Sequence, residues 1–132
     1  MKILIAGGAG FIGSALVLAL SNRHRIVCLD HGKKYPQLRR LVGDRVSLVE
    51  GEISDGALLD RVMPGTEAVI HLGGGGGNTR CLQDPAWAVQ THIVGTRLLL
   101  QKALQHGVAR FFFASSVTAY TTYRQREIPF AE

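Results

Sequence analysis

The stretch that decides the fold is Gly7-Gly8-Ala9-Gly10-Phe11-Ile12-Gly13, close to the first residue. An apolar run from Lys2 to Ala6 precedes it and is typical of a buried strand, while Phe11 to Ser21 follows it with the pattern of a helix packed onto a sheet. The stretch satisfies both G-x-G-x-x-G and G-x-x-G-x-x-G. Glycines permit a tight strand-to-helix turn and let the backbone approach a pyrophosphate. The free amides and the positive dipole end of the helix would then face that anion.

A carboxylate stands at the end of the second predicted strand, Arg25 to Asp30. Asp30 comes seventeen positions after Gly13, close to where a dinucleotide-binding fold places its ribose-binding acid. It could accept hydrogen bonds from both ribose hydroxyls but would repel a 2′-phosphate, which favours NAD over NADP. The counter-argument is Lys33 and Lys34, which would reach such a phosphate if their loop folded back. We therefore predict a dinucleotide site for NAD, with NADP as the less favoured alternative.

Strands and helices alternate along the rest of the chain. The further elements that the pattern predicts are one helical turn near 37–41, strands at 46–50, 68–72 and 109–114, a short helix at 55–62 and a long helix between Asp84 and Gly107. Ser54 or Asp55 would cap the short helix and Asp84 the long one, while 73–77 would be a glycine loop. The alternation of strands and helices implies right-handed crossover connections and a parallel sheet. We predict a doubly wound α/β (Rossmann) fold with about five strands in the order 3-2-1-4-5.

The domain organisation follows from this order of elements. Residues 1–120 form the predicted dinucleotide-binding domain, and residues 121–132 form a polar tail. The total of 132 residues suits one globular domain. No apolar run reaches membrane-spanning length, because Asn22 to Arg25 interrupts the longest candidate. The first residues enter a strand without a signal-peptide pattern, so we expect a cytoplasmic protein that does not associate with membranes.

Cysteines and charges are consistent with this interpretation. Cys28 and Cys81 have no partners at disulfide or metal-ligand spacing, so we expect no metal site. The net charge is +5, and its densest group of basic residues lies between Lys33 and Arg40. A basic cluster can attract nucleic acid, but no aromatic residues are interleaved with these charges. We favour a solvated surface over a nucleic-acid partner.

From these residues onward the chain resembles the extended short-chain dehydrogenase/reductase family, also called the NAD-dependent epimerase/dehydratase family. The glycine stretch is similar to the family's cofactor loop, and Asp30 to its ribose-binding acid. The resemblance implies a nucleotide sugar or a related substrate. The residues that together would bind the cofactor are Gly7, Gly10, Phe11, Ile12, Gly13, Asp30, Glu52, Ile53, Leu72, Gly73, Gly74, His92 and Ser115.

Some of these positions depart from the family's habit. Glu52-Ile53 resembles an Asp-Ile or Asp-Leu pair that contacts adenine, with an acid one methylene longer. Leu72-Gly73-Gly74 resembles the loop under the cofactor, where the family usually has Ala-Ala or Ala-Gly after the Leu. His92 stands where the family has an asparagine that stabilises the active-site backbone. A histidine simply packed on the helix face is an equally good explanation.

The resemblance also implies one catalytic residue, Ser116, whose hydroxyl would bind the substrate oxygen and help to pass a proton. Sugar 4,6-dehydratases of the family carry an Asp-Glu pair directly after that residue, and Val117-Thr118 argues against their chemistry. The family's Tyr-x-x-x-Lys pair is absent, since Tyr120 is followed four residues later by Arg124 and Tyr123 by Glu127. We expect a chain that stops before the catalytic helix and the substrate domain.

The predicted edge strand leads to the same expectation. Phe111 to Phe113 on an uncovered edge would favour aggregation, so self-association, a partner chain or a missing segment should cover it. Three functions stay open. The first is the cofactor-binding part of an NAD-dependent nucleotide-sugar epimerase or reductase, an oxidoreductase or isomerase when complete. The second is a non-catalytic dinucleotide-binding sensor or scaffold, and the third is a basic nucleic-acid-binding protein.

Overall fold

The computed structural model describes residues 1–75 and 77–116. Five strands form one parallel sheet in the order β3-β2-β1-β4-β5. They are β1 (Lys2–Ala6), β2 (Arg25–Asp30), β3 (Val46–Glu50), β4 (Ala68–His71) and β5 (Arg110–Phe113). The predicted doubly wound fold and its strand order are confirmed. Val117, Thr118, Tyr120 and the predicted tail at 121–132 lie outside the described residues.

The register of the strands brings their carboxyl ends to one edge of the sheet. Ala6 is opposite His71 on one side, and His71 is opposite Phe113. Further along, Asp30 is opposite Glu50. The loops that follow these strands therefore meet at a common edge, where ligands of open α/β sheets bind.

Within the described residues, six α-helices and a π-helical segment flank the sheet. They are α1 (Phe11–Leu20), α2 (Tyr35–Val42), α3 (Gly56–Val62), α4 (Gly77–Gln83), α5 (Pro85–Ala88), the π-helical segment (Val89–Gly95) and α6 (Thr96–Gln105). The predicted single turn near 37–41 was too short, because α2 buries Leu38 and Val42 and extends over eight residues. The predicted loop at 73–77 was too long, because α4 begins at Gly77.

The predicted long helix is confirmed at both of its ends. The Asp84 carboxylate accepts a hydrogen bond of 3.0 Å from the Trp87 amide, and Gly107 has a φ of +69° just after α6. Between α5 and α6 the helix widens into the π-helical segment, which no local signal in the sequence predicts. A Cβ atom at Gly95, inside that segment, would lie 2.7 Å from Cγ1 of Ile53, so this helix approaches the loop after β3 closely.

Apolar side chains cover both faces of the sheet. Leu4 packs with Leu59 and Leu99 on the α3–α6 face, while Ile5 packs with Val17 and Val42 on the α1–α2 face. Cys28 is fully buried, and burial raises the pKa of its thiol to about 12. Its thiol is therefore protonated at neutral pH and packs as an apolar group.

The outer side of β5 is the exception to this coverage. The exposed fractions of Phe112 and Phe113 are 55% and 58%. Within residues 1–75 and 77–116, no strand pairs with β5 on its outer side. The same part of the chain contains no helix that is both long and apolar enough to cross a membrane.

Candidate functional site

The turn after β1 is held by contacts that only glycines allow. Gly7 has a φ of +80°, and a Cβ atom there would lie 2.7 Å from the backbone nitrogen of Gly73. A Cβ atom at Gly13 would overlap the carbonyl oxygen of Gly7. The turn is closed by a hydrogen bond of 3.1 Å from the Gly10 amide to that same carbonyl. The backbones of the first and fourth strand loops therefore touch directly.

Helix α1 begins directly at this turn. Its first intrahelical acceptor is the carbonyl of Gly10, which the Ser14 amide reaches at 2.9 Å. The amides of the first turn, from Phe11 to Gly13, are the donors that a helix leaves without intrahelical acceptors. The side chains of Phe11 and Ile12 are exposed to 93% and 60%. The start of α1 thus presents free amides beside two apolar side chains.

The Asp30 carboxylate joins β2 to this turn. Its Oδ2 accepts a hydrogen bond of 2.9 Å from the Ala9 amide, and its Oδ1 accepts one of 2.8 Å from the His31 amide. Two ionised oxygens offer about four acceptor positions. The carboxylate therefore fixes the glycine turn and keeps acceptor capacity for a hydroxyl-bearing ligand. The sequence predicted the position of Asp30 but not its bond to Ala9.

A cavity of about 480 Å³ opens at this edge of the sheet. Its walls come from the loops after β1, β2, β4 and β5. The predicted residues that line it are Gly7, Gly10, Phe11, Ile12, Gly13, Asp30, Leu72, Gly73 and Gly74. Ala9, His31, Gly75 and Ala114 line it as well and were not predicted, although each lies within three residues of a predicted position.

Two lysines bring positive charge to the same cavity. Lys33 and Lys34 line it on the side of Asp30, in the loop between β2 and α2. The loop therefore brings both lysines to the cavity that Asp30 also lines, as the argument for NADP requires. One carboxylate and two lysines line the same cavity.

Glu52 and Ile53 line a smaller adjoining cavity of about 40 Å³, together with Gly7, Asp30 and His31. Oε1 of Glu52 lies 2.7 Å from Nδ1 of His31, and both side chains are about half-exposed. Ile53 is buried and packs against Gly95. The His31 partner was missed by the sequence interpretation, because the pair joins two loops that are adjacent only in the folded sheet.

His92 contacts the loop after β4 from the long helix. A Cβ atom at Gly74 would lie 3.0 Å from its Nδ1, and its Nε2 lies 3.8 Å from Sγ of Cys81. The ring also meets Trp87 edge to face, with 5.6 Å between centroids. His92 thus packs on the helix face and supports a loop that lines the main cavity.

His71 is a buried residue whose part in the site the sequence did not reveal. The Gly73 amide donates to its Nδ1 at 3.2 Å, and its Nε2 lies 2.8 Å from Oγ1 of Thr96. Because Nδ1 accepts, the neutral ring carries its proton on Nε2 and donates it to Thr96. Burial, and then the charge of His92, lower the pKa of His71. The neutral ring fixes Gly73 under the glycine turn. The one signal in the sequence for this role of His71 was a polar residue at the end of a buried strand.

Ser115 and Ser116 lie at the same edge of the sheet. The Ala114 amide donates to the carbonyl of His71 at 3.0 Å, and Ala114 lines the main cavity. The two serines follow it directly and are exposed. Of the predicted candidates, Ser115 and Ser116 therefore stand at the end of β5, close in sequence to the cavity wall.

Comparison with known proteins gives a consistent result. A model of the NAD dependent epimerase/dehydratase family matches residues 3–132. The chain is 34% identical over 128 residues to a UDP-glucose 4-epimerase of Pasteurella multocida (strain Pm70), covering 91% of this chain and 38% of that protein. It is 34% identical over 129 residues to a dTDP-glucose 4,6-dehydratase of Streptomyces antibioticus, again with coverages of 91% and 38%.

A solved structure shares the fold. It is a UDP-glucose-4-epimerase from Stenotrophomonas maltophila, crystallised with bound NAD and formylated UDP-arabinopyranose. The TM-score is 0.87 at 27% identity, over 100% of this chain and 41% of the other. The chain thus spans about two fifths of the length of these relatives.

Proposed function

The chain belongs to the NAD-dependent epimerase/dehydratase family, and from this premise we propose that it binds NAD at the carboxyl edge of its sheet. In this proposal it is the cofactor-binding part of an enzyme that acts on a nucleotide sugar as an epimerase or reductase. The observation that carries the proposal is the glycine turn, where Gly7 and Gly13 leave no room for a Cβ atom. The relatives described above are enzymes, so a non-catalytic sensor or scaffold has no support.

The site fits a dinucleotide in shape and in chemistry. The cavity of about 480 Å³ falls within the range of ligand pockets, roughly 300–1,000 Å³. The free amides at the start of α1 suit a pyrophosphate, and the side chains of Phe11 and Ile12 offer apolar surface beside it. At the other end, Asp30 offers its remaining acceptor positions to ribose hydroxyls. Gly7 to Gly13 would therefore hold the pyrophosphate of the dinucleotide, and Asp30 would hold its adenosine ribose.

The adenine end would meet Glu52 and Ile53. Oε1 of Glu52 is engaged with His31, which leaves Oε2 to accept from an adenine amino group. Ile53 adds an apolar surface held in place by Gly95. Leu72, Gly73 and Gly74, with His92 behind them, would form the floor under the cofactor. These assignments stay proposals, as does that of Ser115.

NAD is preferred to NADP in this proposal. Asp30 is anchored by two backbone amides and cannot turn away from the cavity without breaking both bonds. A 2′-phosphate beside an anchored carboxylate would be repelled. Lys33 and Lys34 would offset this repulsion only in part, because both are exposed and their charges are screened by solvent.

NAD supplies reversible hydride transfer when it is bound. Ser116, at the exposed end of β5, would hold a substrate oxygen by its hydroxyl, in line with the family resemblance. The sequence contains no Tyr-x-x-x-Lys pair, so we assign proton transfer to none of its tyrosines. Nucleotide sugar as substrate, self-association at β5 and a cytoplasmic location are further predictions of the same proposal.

Calorimetric titration of the chain with NAD and NADP tests the proposal. We expect NAD to bind more tightly than NADP. In Asp30→Asn the NAD affinity should fall about tenfold, because charged hydrogen bonds contribute roughly 1.5–3 kcal/mol each, and the preference for NAD should narrow. Gly56→Ala is the control, since its Cβ atom would meet only ordinary contacts, the nearest at 3.7 Å from Leu98. Equal NAD affinity in Asp30→Asn and the wild type would contradict the proposal.

A further inference from the structure

The amino edge of the sheet, opposite the dinucleotide cleft, carries a concentration of positive charge. Lys2 begins β1, Arg25 begins β2, and Arg45 directly precedes β3. Because the strands are parallel and in register, their first residues lie side by side. Arg61 reaches the same edge from the last turn of α3.

These four cations line one cavity of about 300 Å³. Ser47 and Val49 of β3 form part of its wall, so a polar hydroxyl and an apolar surface lie beside the charges. None of the described residues that line it is acidic. Its lining shares no residue with the two cavities at the carboxyl edge.

The nearby carboxylates neutralise other groups. Asp60, next to Arg61, pairs with Lys102 at 2.6 Å and with His106 at 3.1 Å. Asp44, next to Arg45, pairs with Arg39 at 3.3 Å. Within residues 1–75 and 77–116, neither Arg25 nor Arg61 forms an ion pair, so the cavity has no internal counterion.

Two of the cations are held in fixed positions. Nζ of Lys2 donates to the carbonyls of Val62 at 2.7 Å and Pro64 at 2.8 Å. Nε of Arg45 donates to the carbonyl of Val42 at 3.1 Å, and its Nη1 donates to the side chain of Asn22. Burial, and then the charge of Arg25, lower the pKa of Lys2. The fold therefore keeps like charges together at some cost, which an anion would relieve.

We propose that this cavity is a second anion site, for a small ligand with two or three linked phosphate groups, either free or carried by a nucleotide. A volume of about 300 Å³ lies at the lower end of the range of small-molecule pockets, roughly 300–1,000 Å³, so it suits a ligand larger than one phosphate. Arginines suit such a ligand, because each planar guanidinium group can donate two parallel hydrogen bonds to phosphate oxygens. A single-stranded nucleic acid is the poorer fit, since no aromatic residue lines the described cavity to stack with bases.

The test is a titration of the chain with inorganic tripolyphosphate at fixed ionic strength, in the presence of saturating NAD, because the amides at the start of α1 would also bind linked phosphates. We expect one bound anion, and a loss of at least about tenfold in affinity for Arg25→Gln/Arg61→Gln, because charged hydrogen bonds are removed. Arg97→Gln, at an exposed arginine on α6 that does not line the cavity, removes one charge elsewhere on the surface and should leave the tripolyphosphate affinity unchanged. The double variant Lys33→Gln/Lys34→Gln removes two charges from the dinucleotide cleft and should bind tripolyphosphate with the wild-type affinity. Unchanged affinity in the Arg25/Arg61 variant, or an equal loss in either of the other two, would overturn the proposal.

A second measurement keeps the test independent of how well the variant folds. In ¹⁵N NMR spectra of the wild type saturated with NAD, tripolyphosphate should shift the amides around Arg25, Arg45 and Arg61 and leave those of 7–13 unmoved. Shifts confined to 7–13 would refute the site.

Tighter binding of ATP than of tripolyphosphate indicates a nucleotide carrier, and equal binding indicates the free anion. A ten-residue oligothymidylate that binds more tightly than either would replace this proposal by nucleic-acid binding. NAD titration of the Arg25/Arg61 variant separates this site from the proposed function, since NAD binding should be unaffected.

Discussion

Two glycine-rich loops meet at the carboxyl edge of the sheet, and they differ in what their glycines do. In the loop after β1, added Cβ atoms at Gly7 and Gly13 would collide with backbone. In the loop after β4, a Cβ atom at Gly75 would meet nothing within 4 Å, and the same holds at Gly77. The second loop contains more glycine, yet only in the first loop does neighbouring backbone leave no room for a side chain at these positions.

The comparison teaches that the contacts of a glycine, and not its abundance, determine whether it can be replaced. Gly73 is the point at which the two loops touch, since its backbone nitrogen lies where a Cβ atom of Gly7 would be. His71 holds that point from behind. The first loop should therefore respond strongly to substitution, the contact through His71 moderately, and the open part of the second loop hardly at all.

The largest effect is expected for Gly13→Ala. Its methyl group would overlap the Gly7 carbonyl, so either the turn or the start of α1 must move. We expect a loss of about 2–3 kcal/mol in the free energy of unfolding, as for an overpacked core position. NAD affinity should fall at least about a hundredfold, because the amides would no longer converge. Urea unfolding and calorimetry measure both, and Gly56→Ala should match the wild type. An NAD affinity within about twofold of wild type would show that the first loop is not constrained.

A smaller effect is expected when His71 is titrated. Its lowered pKa means that the fold favours the neutral ring, so its contribution is complete above the ordinary histidine value and is lost as pH falls below it. Below about pH 6.5, the free energy of unfolding should drop by up to roughly 1.4 kcal/mol per pH unit.

His71→Asn provides the comparison for this prediction, because asparagine can still accept from the Gly73 amide but does not titrate. The difference between the two stability–pH curves, measured by urea unfolding from pH 5 to 8, isolates the contribution of His71. Parallel curves would mean that the ring is protonated in the fold as readily as in the unfolded chain.

The smallest effect is expected for Gly75→Ala. Its φ is not in the left-handed region, and the methyl group would project into open space. The free energy of unfolding should change by less than about 0.5 kcal/mol, with a slight gain from the less flexible unfolded chain. Thermal unfolding of Gly75→Ala and Gly13→Ala, measured side by side, compares the two loops directly. A loss comparable to that of Gly13→Ala would remove the distinction between the two loops.

The fold could be predicted wherever its signals are local. The five strands and their order follow from short apolar runs separated by turns, and Asp55 and Asp84 mark helix starts by the bonds that they make to backbone amides. Helix α2 was underestimated because its polar sequence hides two core positions, and the Tyr35 hydroxyl fixes its start by donating to the carbonyl of Cys28 at 2.9 Å. The start of α4 at Gly77 and the π-helical segment leave no mark in the sequence.

The features of the candidate site also separate into those that local sequence predicts and those that depend on tertiary contacts. The glycine turn and Asp30 are recognisable because their spacing is fixed within one strand-turn-helix-strand unit. The bond from Ala9 to Asp30, the pair of Glu52 with His31 and the support of Gly73 by His71 each join separate loops. Such contacts depend on tertiary packing, so a single sequence names the residues without pairing them.

The π-helical segment determines how this part of the chain can change in length. Thr91, Gly95, Leu99 and Ala103 are buried at intervals of four residues along the helix axis. A π-helical turn holds about one residue more than an α-helical turn, because its hydrogen bonds join residues five apart and not four. Deleting one residue from Val89–Gly95 would therefore restore α-helical bonding and leave the Asp84 cap and Trp87 at nearly the same angle about the axis. A one-residue gap in an alignment at this segment should need no compensating change before Asp84.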